Sequence, residues 1–310
     1  MENLFRHHIR IERDGEWLRP ARLTARQEEE SRRREPFYLR AICGGGISIG
    51  FCSEAKTVTL AYKITENVRD YAYVDIVVDG VLAKTVNLEE KEGEITLEIP
   101  GAGMRETEIF LPHLAQLWFR KIQPDAPYAP IPEKEKLWVF IGDSITHGMQ
   151  TEHPSMTYPV LSSRILGCDY VNMGVCGGTF YADDIDSCGK TPDILSVAYG
   201  TNDWKQAKHK ESFRRQAADT IARITETFSC KNMYAILPLW RKDSGEVYGG
   251  MTFAEMHAVL REEYEKYPFI TVLDGTTLVP PMPDFFHDGV HPVTAGFLHF
   301  AMELTKHINK

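Results

Sequence analysis

The sequence predicts a two-domain chain: an all-β sandwich, then an α/β domain whose parallel sheet is covered on both faces. Three observations carry this expectation. Apolar residues alternate with period two through the first part of the chain, and a proline-rich stretch then interrupts the pattern. From there to the end, strand-like and helix-like segments alternate.

The first 40 residues are dense in both charges, with Glu28, Glu29 and Glu30 just ahead of Arg32, Arg33 and Arg34. That mixture reads as a solvated surface rather than a basic tail. From residue 37 to residue 120 the pattern is strand after strand, with no convincing helix. "KTVTLAYKIT" places Val58, Leu60, Tyr62 and Ile64 on one face. "YVDIVVDGVLAKTV" sets Asp79-Gly80 between two apolar runs, a strong hairpin signal because both turn positions need positive φ. "GEITLEIP" repeats the alternation, and "TEIFLP" adds a further strand. Short strands at this spacing indicate a sandwich. "QPDAPYAPIPEKEK" carries Pro124, Pro127, Pro130 and Pro132, which suit neither a central strand nor a helix. It reads as a linker or extended strap, and it divides the chain into residues 1–133 and 134–310.

In the second part, "KLWVFIG" reads as a buried strand and "YPVLSSRIL" as a helix. "DYVNMG" and "DILSVAYG" are strands, and "SFRRQAADTIARITETF" is a helix with Phe213, Ala217, Ile221 and Ile224 on one side. "NMYAILPL" is a strand, and "TFAEMHAVLREEYEKY" a helix opened by Thr252 as N-cap. The strand "ITVLDG" and the helix "PVTAGFLHFAMELTKHI" complete the pattern.

Composition bounds the function. The formal charge of −9 argues against nucleic acid as a partner, and no apolar run is long enough to span a membrane. Six scattered cysteines without a C-x-x-C pair read as reduced thiols, and with no signal-like segment the expected location is the cytoplasm. A homo-oligomer is left open.

In an open parallel sheet, ligands sit beyond the carboxyl ends of the strands. Four stretches follow predicted strands: Gly142-Asp143-Ser144; "NMGVCGGT" at residues 172–179; Gly200-Thr201-Asn202-Asp203; and "FFHDGVHP" at residues 285–292. Their residue types form a nucleophilic set. Ser144 can attack, His291 can take its proton, and Asp288 can orient the imidazole, in the order Ser…Asp…His. Glycines in "VCGGT" and the Asn202 amide can donate to an oxyanion. Pro292 suits the first position of the following helix. Each stretch also has a plainer reading. Ser144 can be an N-cap or a phosphate ligand, "GVCGGT" a turn, and Asp203 a cap for the next helix. His287, Asp288 and His291 could ligate a metal, but no further cluster of recognisable spacing completes a site.

Together, "GDSITHG", "NMGVCGGT", "GTND" and "DGVHP" resemble, in order, the four motif blocks of the SGNH (GDSL-type) hydrolases. The resemblance covers residues 137–308. It implies a three-layer α/β/α domain, here preceded by a jelly-roll-like all-β sandwich, and no metal or organic cofactor. It places the nucleophile on Ser144 and the acid and base on Asp288 and His291. The oxyanion donors fall on the Ser144 and Gly177 backbone and on Asn202. "GTND" lacks a second glycine found in many members, and Ile145-Thr146 lacks the last glycine of the α/β-hydrolase elbow. The front sandwich resembles those of two-domain carbohydrate esterases and of an acyltransferase.

The expected activity is therefore hydrolysis of small-acyl esters, with O-acetylated carbohydrates first. An acyltransferase and a non-catalytic sugar-binding protein are the rivals. Asp143, Trp204, Trp240 and Arg241 are candidates for contacting substrate, the tryptophans by stacking on a sugar ring and Arg241 by holding a carboxylate. Packing between loops is the competing reading for both tryptophans.

Overall fold

The structure, a computed structural model, describes residues 1–35 and 37–308. Two antiparallel sheets face each other in the front part. One runs Phe5–Arg6, Ser48–Ser53, Arg105–Phe110, Tyr73–Val78, Val81–Asn87, with Tyr128–Pro130 also paired to Ser48–Ser53. The other runs Arg10–Asp14, Trp17–Ala21, Ala115–Pro124, Thr57–Asn67, Glu92–Glu98. Alternating residues such as Val58, Leu60, Val74, Ile76 and Ile109 fill the space between them. The Asp79-Gly80 turn has φ of 49° and 79°, the positive pair that a two-residue hairpin requires. The proline-rich segment is a strap. Arg6 donates to the Ile131 carbonyl at 2.9 Å and to Asp169 at 2.6 Å, and Asp169 accepts the Lys134 N–H.

One expectation for the front part does not hold. Residues 25–41 contain two short helices, Ala25–Ser31 and Phe37–Ala41, where only strands or charged surface were expected. The first is set by a capping box between Thr24 and Gln27. Neither helix faces the sandwich core. Leu23, Ala41 and Phe37 pack instead on the parallel sheet of the second part.

That sheet has five strands: β1 (Leu137–Gly142), β2 (Asp169–Asn172), β3 (Ile194–Ala198), β4 (Asn232–Ile236) and β5 (Ile270–Leu273), in the order β2-β1-β3-β4-β5. All pairings are parallel. Alternate residues go to opposite faces, and both faces are buried, as a parallel sheet requires. Val139, Ile141 and Leu195 meet helices Lys210–Thr227 and Phe253–Tyr264, the latter capped by Thr252 as its sequence predicts. Trp138, Phe140 and Ile194 meet helices Tyr158–Leu166 and Thr294–His307. The result is the three-layer α/β/α domain. The final helix starts at Thr294 with Val293 as N-cap, so Pro292 lies outside it and bridges to Phe286 instead.

The sandwich is clasped to this domain at the turn Pro154–Met156, ahead of the helix Tyr158–Leu166. Asp75, fully buried, accepts from the Ser155 N–H at 2.9 Å, the Ser155 hydroxyl at 2.6 Å and the Thr85 hydroxyl at 2.6 Å. Sequential strand order reverses between β1 and β3, so the crevice at their carboxyl ends is where ligands bind in such sheets.

Candidate active site

β1 ends at Gly142, and the chain turns at once into the four-residue helix Ser144–His147. Asp143 is its N-cap and accepts the Ile145 N–H at 2.9 Å. Only glycine fits at 142, since a Cβ there would collide with the Thr146 hydroxyl and lie 2.8 Å from the Ala198 carbonyl. Ser144 is thus held at the carboxyl end of the central strand.

The loop before the last helix brings the base. The His291 Nε2 lies 2.8 Å from the Ser144 Oγ, and its Nδ1 lies 2.8 Å from the Asp288 Oδ2. Asp288 also accepts the backbone N–H groups of Val290 and His291 at 3.0 and 2.9 Å. Burial pushes its carboxyl up, but these hydrogen bonds and the ring outweigh burial and hold it below the usual 3.8. An ionised Asp288 takes the Nδ1 proton, which leaves the Nε2 lone pair for the serine hydroxyl. The loop is braced by Gly289, whose carbonyl accepts the Lys242 N–H at 2.7 Å and whose φ is 81°.

The second block forms a tight turn. Gly178 N–H donates to the Val175 carbonyl at 2.8 Å, with Gly177 at φ 84°, the geometry of a type II turn. The Cys176 carbonyl of the central peptide faces Arg40 Nη1 at 3.5 Å, so the Gly177 N–H of the same trans peptide is directed away from Arg40. Asn202 opens the helix after β3, and its Nδ2 gives one proton to the Gly178 carbonyl at 2.9 Å. The amide keeps a second N–H. Asp203 ties the two loops together, accepting from Phe180 N–H at 2.7 Å and Gly200 N–H at 3.1 Å.

Ser144, Asp288 and His291 are therefore brought into one hydrogen-bonded row. Asn202 sits against the Gly177-Gly178 turn. Three candidates for touching substrate are engaged by other parts of the protein. Trp204 is 0% exposed, donates its indole N–H to the Met251 carbonyl and is ringed by Tyr248 and Phe253. Arg241 spends its guanidinium on Asp243 and the Thr201 carbonyl. Asp143, 3% exposed, is used as the cap. Trp240 is partly exposed, packs on the core and meets Phe286 edge-on at 5.3 Å, one residue from His287.

Sequence reasoning missed a buried scaffold behind the site. Arg22 is 1% exposed and donates to the carbonyls of Cys43 (2.8 Å), Asn172 (2.9 Å) and Gly174 (2.6 Å). His147 accepts the Cys176 N–H at Nδ1 (3.2 Å), so its proton is on Nε2, which donates to the His113 carbonyl at 2.6 Å. Burial, with Arg22 and His113 nearby, keeps that ring neutral. Asn172 closes the frame through the Thr146 carbonyl and the Gly174 N–H. Nothing in the mixed-charge stretch around Arg22 signals this role; His147, inside the first motif, was the one available hint.

Residues 140–297 match the model of the GDSL-like lipase/acylhydrolase family. No curated protein sequence matches the chain. Among solved structures, the salicylyl-acyltransferase SsfX3 from a tetracycline biosynthetic pathway is similar with a TM-score of 0.79 at 20% identity, over 97% of this chain and 92% of that one. A putative GDSL-like lipase from Bacteroides ovatus gives 0.72 at 15% identity, over 97% and 93%. A family two carbohydrate esterase from Clostridium thermocellum, solved with cellohexaose, gives 0.66 at 14% identity, over 85% and 92%. At these identities the likeness is one of fold, and it extends through the front sandwich as well as the parallel sheet.

Proposed function

Since this chain belongs to the GDSL-like lipase/acylhydrolase family, we propose that it is a serine esterase that cleaves small-acyl esters, acetyl esters first. The observation that carries the reading is the unbroken row from Ser144 Oγ through His291 to Asp288, each link 2.8 Å. His291 Nε2 takes the serine proton as Oγ attacks the acyl carbon. The oxyanion is held by the N–H groups of Ser144 and Gly177 and by the free N–H of Asn202. As the tetrahedral intermediate collapses, the ester C–O bond breaks and His291 returns the proton to the leaving alcohol. Water, deprotonated by His291, then releases the acid and restores Ser144. Asp288 stabilises the imidazolium in both halves.

O-acetylated carbohydrates are the proposed alcohol side. Carbohydrate esterases among the structural neighbours support that choice, and Trp240 is the aromatic that could stack on a sugar ring. A cytoplasmic location belongs to the same proposal. Acyl transfer is the second reading, favoured by the whole-chain similarity to an acyltransferase. In that case an acceptor hydroxyl replaces water. Release of acetate from 4-nitrophenyl acetate, without any acceptor and lost in S144A, supports hydrolysis. Release of 4-nitrophenol that needs an added alcohol or amine, with the acetyl group recovered on that acceptor, supports transfer, and no turnover of either kind contradicts both.

A further inference from the structure

The turn from Val175 to Gly178 is unequally held. The Cys176 N–H donates to His147 Nδ1 at 3.2 Å, and the Gly178 N–H donates to the Val175 carbonyl at 2.8 Å. Those two bonds fix the peptides on either side of the centre. The central peptide runs from the Cys176 carbonyl to the Gly177 N–H. Among the described residues it has one hydrogen-bonding contact, from Arg40 Nη1 to the carbonyl oxygen at 3.5 Å. This is also the peptide whose N–H the proposed oxyanion needs.

Glycine at 177 makes that peptide easy to turn over. Type II and type I turns differ by a half-rotation of the central peptide, with φ of about +80° and −90° at the third position. Glycine takes both signs of φ about equally well. Turned over, the peptide would aim its carbonyl, instead of its N–H, at the acyl oxygen. Something besides the turn itself must hold Gly177 at φ 84°.

Arg40 is placed to do this. It lies on helix Phe37–Ala41, which docks on the parallel sheet through Phe37 and Ala41. Its backbone carbonyl accepts from Arg22 Nη2 at 3.3 Å, so the arginine that holds the Asn172 and Gly174 carbonyls also seats this helix. Its Nη1 lies 3.1 Å from where a Cβ on Gly177 would be. Arg19, Arg214 and Arg241 are neutralised by Glu28, Glu263 and Asp243, whereas Arg40 has no ion-pair partner among the described residues. At 3.5 Å its hydrogen bond is weak, but the attraction between a cation and a carbonyl dipole acts over that distance. It favours the turn whose carbonyl points at the cation, and it polarises the N–H at the other end of the peptide.

We propose that Arg40 is a positioning residue, which holds the Cys176–Gly177 peptide by its carbonyl so that the Gly177 N–H stays turned towards the oxyanion. Arg40 acts from the far side of the turn, through the peptide and not on the substrate. The proposal rests on the esterase reading above, and it gives the front part of the chain a share in catalysis.

An uncharged ester, 4-nitrophenyl acetate, separates positioning from recognition of a charged substrate. R40M is expected to lower kcat by about 10-fold while KM changes less than about twofold. That falls short of the roughly 10²–10³ for a whole lost donor, because the peptide still turns inward part of the time. R40K should keep most of the rate, and R40E, which repels the carbonyl, should lose more than R40M. R40Q, equally neutral, stands in should R40M fail to fold. An unchanged kcat in the neutral variant, or a change confined to KM, overturns the proposal and spares the esterase. A second measurement reads the peptide directly. Labelling with carbon-13 at the cysteine carbonyl and nitrogen-15 in glycine gives correlated signals only from Cys-Gly pairs, and the sequence has three, at 43–44, 176–177 and 188–189. The 176–177 signal, identified by its loss in C176S, should move in R40M and return towards the wild-type position in R40K. That pattern in a chain that cleaves no ester supports the Arg40 contact and fails only the esterase reading. An unmoved signal overturns the proposal whether or not esters are cleaved.

Discussion

Asp288 meets His291 twice: its Oδ2 takes the ring Nδ1–H at 2.8 Å, and its Oδ1 takes the backbone N–H at 2.9 Å. The first contact fixes which nitrogen faces Ser144, and the second fixes the loop that carries both residues. Removing the carboxylate loses both at once. D288A is expected to lower kcat by about 10²–10⁴ with a smaller change in KM, read from initial rates at saturating ester. Equal activity in D288A would show that another group orients His291.

The Asn202 amide should act on the transition state more than on substrate binding. One of its protons is spent on the Gly178 carbonyl, so N202A loses a donor and also loosens the turn. The expected loss is about 10²–10³ in kcat. A change confined to KM would assign Asn202 to ground-state binding instead.

Arg22 is a structural cation, not a catalytic one. R22M removes the donors of three buried carbonyls while roughly keeping the side-chain length. Leaving acceptors unpaired costs about 1–3 kcal/mol each, so unfolding in urea should shift by about 3 kcal/mol or more. An unshifted midpoint would mean that water replaces the guanidinium freely.

Stability should also fall with rising pH because of two buried acids. Burial pushes Asp143 and Asp203 up to about 7, against hydrogen bonds from Ile145 and Phe180 respectively. Their unfolded value is 3.8, so between about pH 4 and pH 7 the folded chain retains protons that the unfolded chain releases. Their contribution to stability is therefore complete below 3.8 and declines through that window. D203N cannot ionise, and its urea stability should fall less steeply from pH 4.5 to 7.5 than that of the wild type. Parallel slopes for the two proteins would contradict the assignment to Asp203.

The second half of the chain was legible because its signals are local. β1 to β5 are short, mostly apolar runs, and Ser144 lies just past the end of β1, whereas Asp288 and His291 lie well past the end of β5, in the loop before the last helix, and are recognised through their own motif block. The corrections concern contacts between distant segments. Trp204 lies two positions after Asn202, which suggested a place in the pocket; two steps along the helix turn it instead into the core, where its indole N–H donates to the Met251 carbonyl. Arg241 likewise follows a strand end, but Asp243 two residues on captures it. Arg22 is 150 residues from Asn172, and no local pattern can announce such a pairing. Helices Ala25–Ser31 and Phe37–Ala41 are short, and their stability comes from docking on the parallel sheet, which propensity alone does not reveal.

The central claim is that Ser144 is a nucleophile activated by His291. Intact-mass analysis after treatment with a fluorophosphonate tests it most directly. The account predicts one covalent adduct on the wild-type chain, mapped to the peptide containing Ser144, absent in S144A and strongly slowed in H291A. A correctly folded wild-type chain that forms no adduct, or forms one that persists in S144A, would contradict it.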